Sequence, residues 1–257
     1  MLNISLRAET LFYIGSFPVT NALLLSTVAL ALIAAMAFTL RRQLAVVPRG
    51  FQNVVEIVIE GALGLMDSVL GNRRMSEKYL PLVFTVFIFI MISNWLGLFP
   101  GVGSLVLNQH GDAVPLFRSP ASDLNFTLAL ALIAVTLVNV IGAATLGLRA
   151  RLSVFFNFKG PIDFFVGILE LIGEFAKIIS FSFRLFGNVF AGEVLLAIMA
   201  FLVPYAVPLP FMLLEIFVGF IQAFIFAMLT LVFVAMAIAE HGDGEGYEAE
   251  HEKVAVA

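Results

Sequence analysis

Short polar segments divide the chain into long apolar runs. Residues 19–40, 81–100 and 124–148 each have the roughly 20 mostly apolar residues that a helix needs to cross the hydrocarbon core of a bilayer. Basic residues flank one end of each run, namely Arg41, Arg42 and Arg49, then Arg73, Arg74 and Lys78, then Arg149, Arg151 and Lys159. Because arginine and lysine collect on the cytoplasmic side, this pattern predicts an N-terminus outside and a C-terminus in the cytoplasm.

Two further apolar runs, residues 161–203 and 209–239, are longer than one crossing requires. At 1.5 Å per residue they would form helices of about 60 Å and about 46 Å. A helix of that length fits a bilayer only by tilting, kinking or lying in the interface. Since a short charge-free turn joins them, they predict a hairpin of two strongly tilted, antiparallel helices.

Two other segments have a different polarity. Residues 51–71 place apolar side chains at helical spacing on one side and polar side chains on the other, which predicts an amphipathic helix in the membrane interface. Residues 241–257 are acidic and rich in glycine, with few apolar side chains to bury. This tail is predicted to be disordered and dispensable.

Composition agrees with this pattern, since 61% of the residues are apolar and only 12% are charged. We therefore predict an all-α integral membrane protein, with about five membrane-embedded helices and one interfacial helix in a single domain over residues 1–240. The absence of cysteine excludes thiolate metal sites, and the three histidines lie outside the apolar runs. We expect the lipid bilayer as surroundings, with no cofactor, no metal and no nucleic-acid partner.

Polar side chains in the last two apolar runs follow a helical pattern. At 100° per residue, six of them fall within a sector of about 80°: Asp163, Glu170, Glu174, Lys177, Arg184 and Asn188. Glu193 lies on the opposite face, while Glu215 and Gln222 share one side of the last helix. A charge at the bilayer centre costs about 2.5–3.5 kcal/mol by insertion scales, so it needs a partner or water.

These charges have two interpretations. They can pair with each other and hold helices together, or they can serve the movement of ions across the bilayer. For Arg184 and Glu193 the second interpretation is favoured, because ionisable residues deep in a membrane are rare and usually functional. For Asp163 and Lys177 both stay open, since their side chains can reach the headgroups. The mid-membrane polar side chains of Asn94, Asn139 and Thr136 are typical of hydrogen bonds between helices.

One sequence run identifies a family. The motif FRLFGN at residues 183–188, continued by AGE at 191–193, resembles subunit a, the stator half of the ion channel in F-type ATP synthases. The resemblance extends to QAFIF at 222–226, to Asn94 before LFP at 98–100, and to SPASDLNFT at 119–127. It covers most of the chain, from the second span onward. Some members of the family carry an aspartate where this chain has Gly97.

The resemblance implies a role for each matching residue. Arg184 matches the essential arginine, a fixed charge that faces the carboxylates of the rotating ring of c subunits. Four residues match the half-channel that opens outside: Asn188, Glu193, Glu215 and Gln222. Three match positions near the inner exit path: Glu170, Lys177 and Ser180. Ion flow through the two half-channels would turn the ring and drive ATP formation elsewhere, so this subunit itself would not be an enzyme.

The resemblance also implies partners and a location. We expect the c ring, subunit b of the peripheral stalk and the rest of an F-type ATP synthase as partners, in an energy-coupling membrane such as a bacterial inner membrane.

Long apolar helices also occur in two other classes of membrane protein. A secondary transporter usually contains paired repeats, and the sequence has no convincing one. A structural scaffold would not need a polar stripe around Arg184. Both H⁺ and Na⁺ remain open as the transported ion.

Overall fold

The computed structural model describes residues 8–45, 47–99, 105–109, 112–147, 155, 160–204 and 207–239. They form six long α-helices, numbered here in chain order: α1 Asn21–Gln43, α2 Phe51–Leu70, α3 Arg73–Gly97, α4 Leu124–Leu146, α5 Pro161–Leu202 and α6 Pro208–Ala239. Four short strands form two antiparallel hairpins: β1 Thr10–Ile14 with β2 Phe17–Thr20, and β3 Val106–Gln109 with β4 Asp112–Pro115. The predicted disordered tail, residues 241–257, lies outside the described residues.

The predicted fold class is confirmed. Among the described residues, five helices are long and apolar enough to cross a membrane, namely α1, α3, α4, α5 and α6. The remaining helix, α2, is amphipathic, with Leu63 and Met66 buried while Ile57 and Leu65 are exposed. The chain is therefore an integral membrane protein of helices.

Polar caps set the start of three helices. The side chains of Thr20, Asn72 and Asp123 each accept a hydrogen bond from a backbone N–H in the first turn of α1, α3 and α4. The cap at Asn72 starts α3 at Arg73, well before the predicted start of the second span at Pro81. Pro81 itself lies inside the helix. The span is therefore an extension of a helix that begins among the basic residues.

The last two helices are as long as predicted. Helix α5 has 42 residues and α6 has 32, which correspond to about 63 Å and about 48 Å. They pack against each other, and α6 also packs against α3 and α4. In the most apolar window of each helix, 44% of the residues of α6 are buried but only 11% of those of α5. Helix α6 is thus the centre of the bundle, and α5 leaves most of its surface open.

Two apolar clusters form the core. The first joins α3, α4, α5 and α6 around Ile90, Phe181, Leu185 and Phe226. The rings of Phe181 and Phe226 have centroids 4.6 Å apart. The second cluster joins α2, α3, α4 and α6, and includes Tyr79 and Leu231. Since all the buried α5 residues of the core belong to the first cluster, α5 is anchored at the level of Phe181 and Leu185.

Ion pairs fix the corner between α2 and α3. The guanidinium of Arg73 lies 2.7 Å from Glu60, 3.0 Å from Asp67 and 3.3 Å from Glu77. Glu60 and Asp67 are on α2, and Glu77 is one turn along α3. The polar side of the interfacial helix is therefore tied to the first turn of the next span.

The two β-hairpins were not predicted, and one buried asparagine connects them. Asn21, at the start of α1, is fully buried. Its Nδ2 donates to the carbonyl of Pro115 in β4 at 3.2 Å, and its Oδ1 accepts from the backbone N–H of Glu9 at 3.2 Å. Asn21 therefore joins the segment before β1 to the end of the second hairpin, in a cap above one end of the helices.

Replacing Asn21 with alanine should destabilise this cap. The change leaves the Glu9 N–H and the Pro115 carbonyl without their partner, which costs about 1–3 kcal/mol for each buried group that stays unpaired. We expect a lower thermal unfolding temperature of the detergent-purified protein and faster proteolysis of residues 8–20. Thr27→Ala is the matched control, because the Thr27 hydroxyl is exposed and bonds only to Leu24 in its own helix. Equal stability of the two variants would contradict the role of Asn21.

Candidate functional site

Arg184 has one partner among the described residues. Its Nη2 donates to the hydroxyl of Ser180, one turn earlier in α5, at 3.2 Å. The described ion pairs do not include Arg184, although it is half-buried within a helix long enough to span the membrane. Phe181 and Leu185 turn into the core, so Ser180 and Arg184 lie at the border of the open face of α5. The guanidinium is thus available to an anion outside the described residues.

One turn beyond Arg184, Asn188 connects the two long helices. Its Nδ2 donates to Oε1 of Gln222 in α6, with 2.6 Å between the two atoms. Gln222 is only 2% exposed, and its own Nε2 is buried without a hydrogen-bond partner. The structure therefore brings together the two amides that the sequence assigned to one half-channel.

Glu193 pairs with a residue that the sequence analysis did not select. Its Oε2 lies 3.6 Å from Nε of Arg118, in the segment between β4 and the 3-10 turn Pro120–Ser122. Arg118 Nε also donates to the hydroxyl of Ser122 at 3.0 Å. That hydroxyl in turn donates to the carbonyl of Ser119 at 2.9 Å. The loop before α4 thus supplies a cation to a carboxylate on α5.

Glu215 lies against the backbone of α5. A Cβ added to Gly192 would overlap the carboxylate of Glu215, so only glycine leaves room for that carboxylate. From α3, Asn94 Nδ2 donates to the carbonyl of Gly219 at 3.2 Å and Trp95 Nε1 donates to that of Ile216 at 3.0 Å. The predicted hydrogen bond of Asn94 between helices is confirmed, whereas Thr136 is exposed on α4 and the described hydrogen bonds include none from it.

Glu193 and Glu215 line the same small cavity. Its walls come from α3, α5, α6 and the loop before α4, and consist of Asn94, Gly97, Leu98, Ser119, Val189, Glu193, Glu215, Val218 and Gly219. Three buried polar atoms in or near these walls have no hydrogen-bond partner among the described residues, namely Asn94 Oδ1, Ser119 Oγ and Gln222 Nε2. Buried polar atoms without a protein partner are the groups that ordered water usually satisfies.

Gly97 has a structural reason to lack a side chain. A Cβ at this position would lie 2.6 Å from Cβ and 2.9 Å from Oγ of Ser119. An aspartate at this position would therefore require a different position of the loop. In this chain the polar groups at the same wall of the cavity are Ser119 and Asn94.

Among the described contacts, none joins the three residues of the predicted inner path to one another. Lys177 Nζ lies 2.7 Å from Glu174 Oε1 and 4.9 Å from the centre of the Phe233 ring. Asn139 Nδ2 in α4 donates to Glu174 Oε2 at 2.9 Å, which confirms its predicted role between helices. Glu170 is half-buried one turn before Glu174, and Ser180 is exposed next to Arg184. Lys177 therefore pairs with Glu174, which the predicted site left out.

The residues that sequence reasoning missed are Arg118, Ser119 and Glu174. Arg118 and Ser119 lie in a loop, where side chains have no periodicity that would assign them to a face. The only available signal was their position directly before and within SPASDLNFT at 119–127. Glu174 was visible as part of the polar stripe, but its buried position could be seen only in the packed helices.

Comparison with known proteins gives a consistent result. The family described as ATP synthase A chain matches residues 23–235. ATP synthase subunit a of Moorella thermoacetica is 33% identical over 235 residues, which are 91% of this chain and 98% of that protein. Subunit a of Campylobacter concisus is 36% identical over 215 residues, or 82% of this chain and 87% of that protein. The family match covers every residue of the cavity and of the polar stripe, and the chain belongs to the ATP synthase A chain family.

Proposed function

We propose that this chain is the ion-translocating stator subunit of an F-type ATP synthase, with two half-channels that load and unload protons, or Na⁺, on the carboxylates of a rotating c ring. Membership of the family already makes it a membrane subunit of that complex. In this proposal Arg184 is the fixed charge between the half-channels. The subunit catalyses no reaction itself, and ATP forms in another part of the complex.

The observation that carries this proposal is that Arg184 has no anionic partner among the described residues. A cation deep in a membrane needs an anion or water, and Arg184 has only the neutral hydroxyl of Ser180 among the described residues. By contrast, Lys177 has Glu174 and Arg118 has Glu193. Phe175, Ile179 and Phe183 are exposed on the same helix, so an apolar partner can cover this face. A helical ring with one carboxylate per subunit supplies both the apolar surface and the anion.

The mechanism follows from the chemistry of the guanidinium. Arginine is not deprotonated in proteins, so it cannot relay a proton and can only act as a fixed charge. A ring carboxylate that reaches Arg184 is stabilised when ionised, so it must release its proton to the inner side first. After passing Arg184 it takes a new proton from the outer side. The membrane potential contributes about 2.3 kcal/mol per charge per 100 mV.

The outer half-channel corresponds in this proposal to the cavity and to the amides beyond it. Glu193 and Glu215 receive protons at the cavity, and Asn188 and Gln222 lead from there to Arg184. Carboxylates can accept and release a proton, and amides can bind the water that carries it. The three buried polar atoms without a protein partner support a path through water.

The remaining assignments complete the proposal. Glu170, Lys177 and Ser180 belong to the inner exit path, where Glu174 now joins them because it binds Lys177. The basic flanks of the spans support an N-terminus outside and a C-terminus in the cytoplasm. The membrane is an energy-coupling membrane such as a bacterial inner membrane, and subunit b of the peripheral stalk is a further partner.

Replacing Arg184 with lysine should reduce ATP synthesis to background, even though the charge is kept. An ammonium on a flexible stem is more strongly hydrated, and it can lose its proton when desolvated. Synthesis is measured in vesicles that contain the assembled complex, with Arg73→Lys as the control at an interfacial arginine. Arg184→Ala should in addition let protons leak through the complex, which a pH-sensitive dye detects. Normal synthesis by Arg184→Lys would refute the role of Arg184 as a fixed charge.

Changing Glu215 to glutamine should slow proton uptake without loss of assembly. The amide has nearly the size of the acid but cannot carry the proton, so water and Glu193 must relay it alone. We expect a rate of ATP-driven proton pumping that is reduced several-fold, a milder effect than that of Arg184→Lys. Assembled complex is quantified on the same membranes. Full assembly with undiminished pumping would show that Glu215 is not part of the relay.

Adding one methyl group at Gly192 should have a similar effect. In Gly192→Ala the new Cβ occupies the place of the Glu215 carboxylate, which must move or separate the two helices. We expect slower proton pumping with little loss of stability, because the atoms that meet the new Cβ are the far end of a flexible side chain. Gly64→Ala is the matched control, because a Cβ at Gly64 in α2 has no atom within 4 Å. Pumping equal to that of the control would contradict the close approach.

A further inference from the structure

Arg118 is a charged side chain to which the mechanism above assigns no role. It reaches from the loop before α4 to Glu193 on α5, and its side chain is only 12% exposed. Burial of a lone cation is costly, and the pair leaves both charges compensated. The contact therefore joins the loop that covers one end of the bundle to the carboxylate at the cavity.

At its Nε atom, Arg118 makes a hydrogen bond with one group and a longer electrostatic contact with another. The Nε atom of arginine carries a single hydrogen, and Arg118 donates it to the hydroxyl of Ser122 at 3.0 Å. The same Nε lies 3.6 Å from Glu193 Oε2, beyond the range of a good hydrogen bond. At this atom the guanidinium therefore acts on the carboxylate mainly through its charge.

The orientation of Arg118 is fixed by its surroundings. Ser122 accepts from Arg118 and donates to the carbonyl of Ser119, and both serines are buried. Near Glu193, the other charged group that lines the cavity is Glu215 on α6, while α3 contributes the amide of Asn94. Asp123, at the start of α4, is engaged with Asn125. Among the described residues around the cavity, Arg118 is therefore the cation that opposes the two carboxylates.

We propose that Arg118 is the positioning residue of the outer half-channel, which holds the Glu193 carboxylate at the cavity and sets the range of outer pH over which this carboxylate loads protons. The inference rests on the proposed function. A nearby cation favours the ionised carboxylate, so that protons are taken up only when the outer side is sufficiently acidic. Removal of the cation should let Glu193 take up its proton at a higher outer pH.

The test uses the whole complex, reconstituted in liposomes that make ATP at a fixed membrane potential while the pH of the outer side is varied. For Arg118→Gln we expect the outer pH of half-maximal synthesis to rise by about one unit, the lower end of the effect of one close opposite charge. Arg118→Lys keeps the charge and should restore most of the original profile. Arg42→Gln is the control, because Arg42 is exposed at the other end of α1 and stacks on Phe38.

An unshifted profile for an assembled Arg118→Gln complex would overturn the inference. If that variant fails to assemble, the double change Arg118→Gln with Glu193→Gln decides, since it removes both charges and leaves neither unpaired. Assembly of the double variant would support the pairing. With Glu193 changed to glutamine, Arg118→Gln and Arg118→Lys should then give the same pH profile, because the carboxylate on which the cation acts is absent. Failure of the double variant as well would make Arg118 a structural residue only. Unchanged synthesis by Glu193→Gln alone would instead refute the proposed relay, which keeps the two failures distinct.

Discussion

A charge placed in hydrocarbon must be compensated by a partner or by water. The charged residues of helix α5 differ in which part of the chain supplies that partner. Glu174 obtains it from Lys177 and from Asn139 of α4, and Glu193 obtains it from Arg118 of the loop. Arg184 lies between these two pairs and obtains only a hydroxyl from the described residues. Among the described residues, these two acids are thus compensated within the chain, whereas the guanidinium of Arg184 has no acidic partner.

The packing of the two long helices makes this arrangement possible. Helix α6 is buried between α3, α4 and α5, so its amide and carboxyl side chains meet groups of the same chain. Helix α5 is anchored on one side by Phe181 and Leu185, and its opposite side is apolar and open. Arg184 therefore has a rigid base in the core and an accessible end.

Much of the fold could be predicted, because a bilayer allows few structures. A backbone in hydrocarbon must satisfy its hydrogen bonds within the segment, so each long apolar run is a helix. Helix α3 begins at Arg73, before the predicted span at 81–100, because the cap at Asn72 extends the helix through the basic residues. The first hairpin was missed although a signal existed, since Gly15 and Ser16 separate two segments of aromatic and β-branched residues and Gly15 has a φ of 64°.

The site was predictable in part, for a reason that concerns the elements on which its residues lie. Arg184, Asn188 and Gln222 occupy regular helices with distinctive motifs, and Asn188 and Gln222 do form a contact. Arg118 comes from a loop whose position is set by its own packing, through Asn21, Pro115 and the buried serines. No pattern along the chain relates Arg118 to Glu193. Pairing between a loop and a helix is decided by tertiary structure alone.

Three glycines determine how close the polar groups of the cavity can approach. Gly192 faces the carboxylate of Glu215, Gly97 faces Ser119, and Gly219 faces Asn94, with 3.2 Å from its added Cβ to the Asn94 Cβ. Glycine in a helix costs about 0.5–1 kcal/mol relative to alanine, so each of these positions lowers the intrinsic stability of its helix. In return a polar side chain lies directly on a neighbouring backbone. The spacing of α3, α5 and α6 and the position of the carboxylates therefore cannot change independently, and a shift of one helix would move the protonatable groups with it.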